Sequence, residues 1–246
     1  FLYYLLNIYY KMKQKIILTM SLVLLVGLAV FVSAKMTPYS SDGYNHNVEI
    51  YMEKGWNLIL MPDLDMHESN FKSDSDIQKD DLRAVYLYIP EHNKYYEAYP
   101  NSDELMNSIN SLSQDSQNFL NIGSAWVYSD KSGYLKYSRV DVPKYNQVKL
   151  SNGWNFFTLT PEFKMKKLSQ FKENCEISKI AFWQHQEWSV LDPQTLLQSS
   201  HPDTPSSWDD LILADSDSDV GRGILFKVSN SCQFGGSSVT PPTIPN

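Results

Sequence analysis

The chain contains few cysteines and fewer basic than acidic residues, and each shortage excludes a kind of site or partner. Cys175 and Cys232 are the only cysteines among 246 residues, and no Cys-x-x-Cys or Cys/His spacing indicates a structural zinc site. Lys and Arg together number 21 against 28 Asp and Glu, which gives a formal charge of −7. Because nucleic-acid phosphates require a basic surface, we expect no nucleic-acid partner.

The sequence also lacks the short motifs of common enzymes. Its five histidines show no HxH or HExxH spacing, and there is no GxSxG nucleophile motif. The stretch Gly221-Arg222-Gly223 lacks the third glycine of a phosphate-binding loop and follows an acidic run that would repel phosphate. No catalytic or cofactor-binding residue is therefore predicted, and a secreted hydrolase is the third of three functional hypotheses.

The N-terminal part of the chain has the pattern of an export signal. Met12 and two nearby lysines precede an apolar run of 17 residues, 16–32, and Val32-Ser33-Ala34 resembles a cleavage site. Two outcomes compete for residues 1–34: cleavage after Ala34, or an uncleaved hydrophobic helix that anchors the chain through residues 16–32. Either outcome predicts an extracellular or cell-surface location, with the membrane contacted only through this segment.

The two cysteines both follow the export segment. In an oxidising compartment, two cysteines favour one disulfide between Cys175 and Cys232, and two free buried thiols are the alternative.

A Gly-Trp-Asn motif occurs twice, at Gly55-Trp56-Asn57 and, 98 positions later, at Gly153-Trp154-Asn155. A strand-like run precedes each copy, and Pro62 or Pro161 follows it. Each copy therefore predicts a β-hairpin. The glycine supplies a positive φ, the Trp packs across the hairpin, the Asn bonds local backbone, and the proline ends the strand.

The repeated motif predicts a mainly β, sandwich-like fold of two tandem repeats with small helical insertions. Gly123 and Gly221 each follow their motif glycine by 68 residues, which supports one duplicated unit. Whether the repeats form two domains or one fused sandwich stays open. The expected divisions are a linker at 35–47, a first repeat at 48–140, a second repeat at 141–234, and a Gly/Ser/Pro tail at 235–246.

The repeated Leu/Met-x-x-Gly-Trp-Asn pattern, with an aromatic hairpin and a glycine-led strand further on, resembles a known group of repeats. It is similar to the GWN-type repeats of uncharacterised secreted and cell-surface proteins of prokaryotes, many of them archaeal. The resemblance covers about residues 48–234 and implies a β-rich extracellular module with no assigned activity. The copies differ where the first has Trp126-Val127-Tyr128 and the second has Ile224-Leu225-Phe226.

Aromatic residues are abundant, with 16 Tyr, 11 Phe and 6 Trp, and several crowd two predicted hairpins. Neighbours in a strand point to opposite faces, so some of these rings should lie at the surface. The alternative is that the rings fill a core. The candidate ligand-binding residues are Tyr95, Tyr96, Trp183 and Trp188.

These features favour a non-catalytic exported module for cell-surface adhesion, binding or envelope structure. A carbohydrate-binding module is the alternative, because surface aromatics with polar tips suit sugars as well as proteins. The expected partner is an envelope protein or a glycan, and the oligomeric state is not predicted.

An acidic loop offers a weak calcium candidate. Asp215, Asp217 and Asp219 occupy alternate positions, as in an oxygen-rich calcium loop. Val220 and Phe226 stand where that loop requires Gly and Glu, so a solvated acidic turn is the alternative. No other cofactor is predicted.

Overall fold

Alternating burial along the strands shows how the sequence builds the first half of the fold. Val48, Ile50 and Met52 are buried, whereas Glu49 and Tyr51 between them remain partly exposed, as a strand with one covered face requires.

This computed structural model describes residues 34–37, 46–62, 66, 68–139, 148–198, 205 and 207–234. The expected N-terminal helix and the 235–246 tail lie outside these residues.

Among its described residues, the first half contains seven strands and two α-helices. The strands are β1 (Ala34–Thr37), β2 (His46–Met52), β3 (Gly55–Leu60), β4 (Leu82–Ile89), β5 (Lys94–Tyr99), β6 (Ser124–Ser129) and β7 (Gly133–Arg139). The helices are α1 (Asp103–Ile109) and α2 (Gln114–Ile122). Part of the expected 35–47 linker is strand instead, because β1 pairs antiparallel with β2.

In the described part of the second half there are six strands and one short α-helix. The strands are β8 (Val148–Leu150), β9 (Gly153–Thr158), β10 (Ile177–Gln184), β11 (Glu187–Leu191), β12 (Gly223–Val228) and β13 (Cys232–Phe234). The helix is α3 (Pro193–Gln198). The expectation of a mainly β fold is confirmed.

The strands of the described ranges form four antiparallel sheets. Sheet 1 has the order β3-β6-β4-β5, and sheet 2 has the corresponding order β9-β12-β10-β11. An outer sheet, β1-β2-β7, packs on sheet 1, and an outer ribbon, β8-β13, packs on sheet 2. The inner faces of sheets 1 and 2 meet in a third apolar cluster, built on Leu58, Phe156, Ala181 and Leu225. Both central sheets are therefore covered on two faces.

Double coverage explains the continuous apolar runs after each Gly-Trp-Asn motif. The last four residues of β3 and of β9 are all buried, because both faces of each strand are covered. Leu58 points into the inner layer, and Ile59 points into the cluster under the outer sheet.

Backbone contacts also join the two central sheets. Ile59 bridges to Arg222, and Phe157 makes the matching bridge to Gly123. The Leu60 N–H donates to the Gly221 carbonyl at 2.8 Å. These reciprocal contacts give the two halves an approximate two-fold relationship.

The strand register corrects the sequence alignment of the two halves by one residue. Gly55 pairs with Ser129, and Gly153 pairs with Val228. The separation between these two partners, in β6 and β12, is therefore one residue greater than the separation between the two motif glycines. A one-residue shift changes the face of every side chain in a strand. The counterpart of Trp126 is therefore Leu225 in the inner layer, and the expected match with Ile224 is wrong.

The expected disulfide is present. Cys175 and Cys232 are bonded, with their Cα atoms 5.3 Å apart, and the bond links the segment before β10 to β13. It ties the outer ribbon to the apolar cluster of the second half.

Candidate functional site

The two Gly-Trp-Asn motifs form hairpin turns of the same design. In the first, the Asn57 amide accepts from the Glu53 N–H at 2.9 Å and donates to the Glu53 carbonyl at 2.8 Å. In the second, Asn155 makes the same pair with Ser151, at 2.9 and 2.8 Å. Gly55 and Gly153 have φ values of 106° and 99°, which L side chains rarely adopt. The Asn side chain therefore closes each turn and directs the following strand.

The indole of Trp56 begins an aromatic cluster on the inner face of sheet 1. Its ring centroid lies 5.1 Å from Tyr128, 6.1 Å from Tyr86 and 6.2 Å from Trp126. The pairs are tilted or edge-to-face, which the charge distribution of aromatic rings favours. Trp154 instead lies under the ammonium group of Lys227, at 5.8 Å.

The β10–β11 hairpin brings two further tryptophans to this cluster. Trp183 and Trp188 are cross-strand partners with centroids 5.3 Å apart. Both contact Trp126 edge-to-face, at 5.0 and 5.4 Å. Three indoles from two sheets thus form one mutually packed group.

The turn of this hairpin is fixed to the first motif by polar contacts. The Gln186 amide accepts from the Trp56 N–H at 3.0 Å and donates to the Trp56 carbonyl at 2.9 Å. The Trp183 indole donates to the same carbonyl at 2.8 Å, and His185 lies 3.0 Å from a Glu53 oxygen. Because β3 is an edge strand, Gln186 takes the place of a neighbouring strand at Trp56.

These contacts leave an open cleft of about 550 Å³ between the two sheets. Its lining is aromatic, and the residues are Trp56, Tyr86, Tyr95, Trp126, Trp183 and Trp188. Trp188 is 42% exposed and Tyr95 is 46% exposed, so both rings are accessible from solvent. The strand registers make Tyr95 and Trp188 counterparts on the edge strands β5 and β11.

The cleft is uncharged at neutral pH. Burial raises the pKa of Tyr95, although an interaction with Trp126 opposes that change. Burial also raises the pKa of the neighbouring Tyr88. The Tyr95 phenol therefore stays protonated, and the cleft offers aromatic ring faces and hydroxyls to a ligand.

Three of the four candidate ligand-binding residues meet in this cleft, namely Tyr95, Trp183 and Trp188. Tyr96 does not, because it points to the other face of sheet 1 and is 5% exposed, with its hydroxyl 2.6 Å from His92 Nδ1. Tyr86 belongs to one of the predicted aromatic hairpins but is not among the four candidates, Trp126 is not a candidate either, and the sequence indicates a structural role for Trp56. Tyr86 and Trp126 are cross-strand partners, a relation that only the sheet order reveals.

The carboxylates of the acidic loop form hydrogen bonds within their own turn and ion pairs with basic residues. Asp219 accepts from the Ser216 hydroxyl at 2.8 Å and lies 3.4 Å from Arg222. Asp217 pairs with Lys164 at 2.7 Å. A hydrogen bond with Asp219 raises the pKa of Asp215. Within the described ranges, no group of three or more His, Cys, Asp or Glu residues is placed to hold a metal ion.

A second, polar cleft of about 320 Å³ lies beside the other Gly-Trp-Asn turn. Glu91 accepts hydrogen bonds there from the hydroxyls of Ser113 and Ser116 at the start of α2. These hydrogen bonds lower the pKa of Glu91, with that from Ser116 the largest cause. Lys149 and Asp115 form an exposed ion pair across the same cleft, at 3.4 Å.

The fold and the cleft define a mainly β protein of four sheets, with an aromatic cleft between the two central ones. Comparison with protein-family models, with curated proteins and with solved structures gave no match. Among the described residues, no helix is long and apolar enough to cross a membrane.

Proposed function

We propose that this protein is a non-catalytic exported binding module for cell-surface adhesion or envelope structure, and that the aromatic cleft is its binding site. The observation that carries the proposal is the convergence of six aromatic side chains from both sheets on one open cleft. Accessible Trp and Tyr rings are enriched in binding surfaces, because they bury much apolar area while keeping polar tips.

Export is supported by the N-terminal apolar run and by the Cys175–Cys232 disulfide, a bond typical of proteins in oxidising compartments. A tandem duplication is supported by the matching strand orders of sheets 1 and 2 and by the reciprocal bridges at Ile59 and Phe157. In this proposal the binding site arises where the two copies differ, because Trp126 of sheet 1 corresponds to Leu225 of sheet 2.

Binding of the full chain to immobilised envelope extract tests the proposal. Trp188→Ala removes an accessible ring of the cleft, and we expect at least a tenfold loss of affinity because hot-spot indoles contribute about 2 kcal/mol or more. Met165→Ala is the matched control, because Met165 is exposed outside the cleft lining. Equal affinity of the Trp188 and Met165 variants would refute the cleft as the binding site.

A carbohydrate-binding module is the second candidate. The exposed faces of Trp188 and Tyr95 favour it, since a sugar ring can stack on an aromatic face while hydroxyl and indole groups bond its edges. It predicts saccharide-dependent quenching of Trp fluorescence that Trp188→Ala abolishes. A secreted hydrolase remains the third candidate. It predicts turnover of a saccharide or peptide, which an assay for released product would detect.

A further inference from the structure

Three indoles of the aromatic cleft stand nearly at right angles to one another. The angle between ring planes is 84° for Trp126 and Trp183, 86° for Trp126 and Trp188, and 74° for Trp183 and Trp188. Their centroids lie 5.0, 5.4 and 5.3 Å apart, so the rings contact one another. Three such walls form a corner, which fits a compact, rounded group better than a flat ring that must stack on one face.

The polar groups of the cleft are partly used within the protein. The Trp183 indole donates to the Trp56 carbonyl at 2.8 Å, and the Trp126 indole bonds the Tyr95 hydroxyl. The described lining contains no amide, carboxylate, ammonium or guanidinium side chain. A ligand is therefore recognised mainly by the ring faces, which carry a negative electrostatic potential.

Two carboxylates lie on the strands that carry this lining. Glu97 is the cross-strand partner of Tyr86, and it lies on the same face of β5 as Tyr95. Glu187 precedes Trp188 at the exposed start of β11. The acidic side chains add to the negative potential of the rings.

The basic side chains on the neighbouring strands and turns do little to offset these carboxylates. Lys94 pairs with Glu104, and Arg83 pairs with Asp130 at 2.7 Å. Lys54 is exposed in the turn before β3. The whole chain has a formal charge of −7, so the field around the cleft favours a cation over an anion.

We propose that the aromatic cleft binds a quaternary ammonium group, of the trimethylammonium kind that choline carries. The inference rests on the proposed function, because it takes the cleft to be the binding site and names the class of its ligand. A quaternary ammonium group is compact and cationic and has no N–H to satisfy, so aromatic faces can surround it and attract its charge.

The surrounding charge also selects the carrier of this group. In a phospholipid headgroup a phosphate lies close to the ammonium, and it would be repelled by the carboxylates of Glu97 and Glu187. The ligand is therefore an envelope molecule with no anion beside its ammonium group, rather than a bilayer headgroup.

Titration of the full chain with choline chloride at constant ionic strength tests the proposal, with indole fluorescence and indole N–H resonances as readouts. The matched probe is the neutral isostere of choline, in which a tert-butyl group replaces the trimethylammonium group. We expect choline to bind at least tenfold more tightly than the isostere, because cation–π attraction requires the charge. Equal affinities, or binding of neither compound, would overturn the proposal.

The variant Trp188→Leu separates ring attraction from apolar contact. It keeps an apolar side chain but removes one aromatic wall, so it should weaken choline binding at least fivefold and leave binding of the isostere nearly unchanged. Met165→Ala, outside the cleft lining, is the control and should bind choline as the wild type does. An equal loss for choline and the isostere would refute a role of the ring in binding the cation.

Vesicles of phosphatidylcholine distinguish the two carriers. We expect no co-sedimentation of the protein that free choline can displace. Co-sedimentation that choline displaces and that Trp188→Leu abolishes would overturn the assignment to a carrier without phosphate.

The two proposals can fail separately. If choline binds as expected but Trp188→Ala leaves binding to envelope extract unchanged, the cation site stands and the proposed envelope function fails. If Trp188→Ala weakens binding to the extract while choline neither binds nor competes, the cleft is a binding site and the quaternary ammonium ligand is refuted.

Discussion

The two Gly-Trp-Asn hairpins have nearly identical turns and different surroundings. Asn57 and Asn155 make the same backbone pairs at distances that agree within 0.1 Å. A Cβ built on Gly55 would lie 2.7 Å from Gln186 Oε1, whereas one built on Gly153 would meet nothing within 4 Å. One hairpin is clamped by the opposite half, and the other borders an open polar cleft. The local sequence thus determines the turn, while the opposite copy determines what the turn contacts.

The same difference extends to the inner layer. Where sheet 1 has Tyr86 and Trp126, the register places Ala181 and Leu225 in sheet 2. At these two positions the inner layer has large rings from sheet 1 and small side chains from sheet 2. Sheet 2 contributes its own rings to the cleft from β10 and β11, namely Trp183 and Trp188.

The largest expected effect concerns the disulfide. This bond lies in the second half, and the first half contains no cysteine. Reduction should lower the free energy of unfolding by about 4 kcal/mol, because the bond closes a loop of 57 residues. Denaturant unfolding with and without reductant measures this loss. The Cys175→Ala/Cys232→Ala variant is the control and should not respond to reductant; an unchanged midpoint for the reduced wild type would contradict the prediction.

Next in size is the loss of the turn amides. Asn57→Ala and Asn155→Ala should each cost about 2 kcal/mol, because each leaves a buried or partly buried backbone N–H and carbonyl without their partner. Asn155 is fully buried and should cost at least as much as Asn57. Urea midpoints compare the two. A negligible cost at either position would show that the turns are not equivalent in energy.

Substitution of the turn glycines should reveal a smaller difference in stability between the two hairpins. Gly153→Ala should cost about 1 kcal/mol from the positive φ alone. Gly55→Ala should cost about 1 kcal/mol more, because the new methyl group collides with the Gln186 amide and weakens the clamp on Trp56. A double-mutant cycle with Gln186→Ala should remove the extra cost; additive effects would contradict the clash.

The smallest expected effect is a pH dependence at Glu91, which bonds α2 of its own half rather than the opposite hairpin. Hydrogen bonds from Ser116 and then Ser113 lower the Glu91 pKa in the folded state. That stability is present above the unfolded pKa of about 4.3 and is lost as pH falls through the folded pKa. Glu91→Gln should therefore flatten the fall in melting temperature below about pH 5. Ser116→Ala should do much the same, and an unchanged acid profile in both variants would refute this role.

Much of the fold followed from local patterns. The alternation in β2, the turn glycines and the two cysteines predicted strands, hairpins and a disulfide, because each depends on short-range geometry or on a compartment. The Leu58-Ile59-Leu60 run was harder to place, because continuous apolar residues occur in any doubly covered strand. Its coverage on both faces depends on how distant sheets stack.

The candidate site was only partly predictable. Trp183, Trp188 and Tyr95 were recognised because they crowd predicted hairpins, but Tyr96 beside Tyr95 faces the core. Trp126 was missed because a shift of one residue in the alignment of the copies hides its counterpart. Strand register is set by long-range pairing, so the spacing of glycines along the chain did not reveal it.

The sequence by itself determined the hairpins and the presence of two similar halves, because a positive φ, a turn amide and a strand-ending proline act within a few residues. The tertiary structure alone decided that the halves face each other, that Gln186 completes the edge of β3, and that rings from four strands of sheet 1 and two of sheet 2 share one cleft. Those contacts join residues up to 132 positions apart, and they form only when the two central sheets pack together.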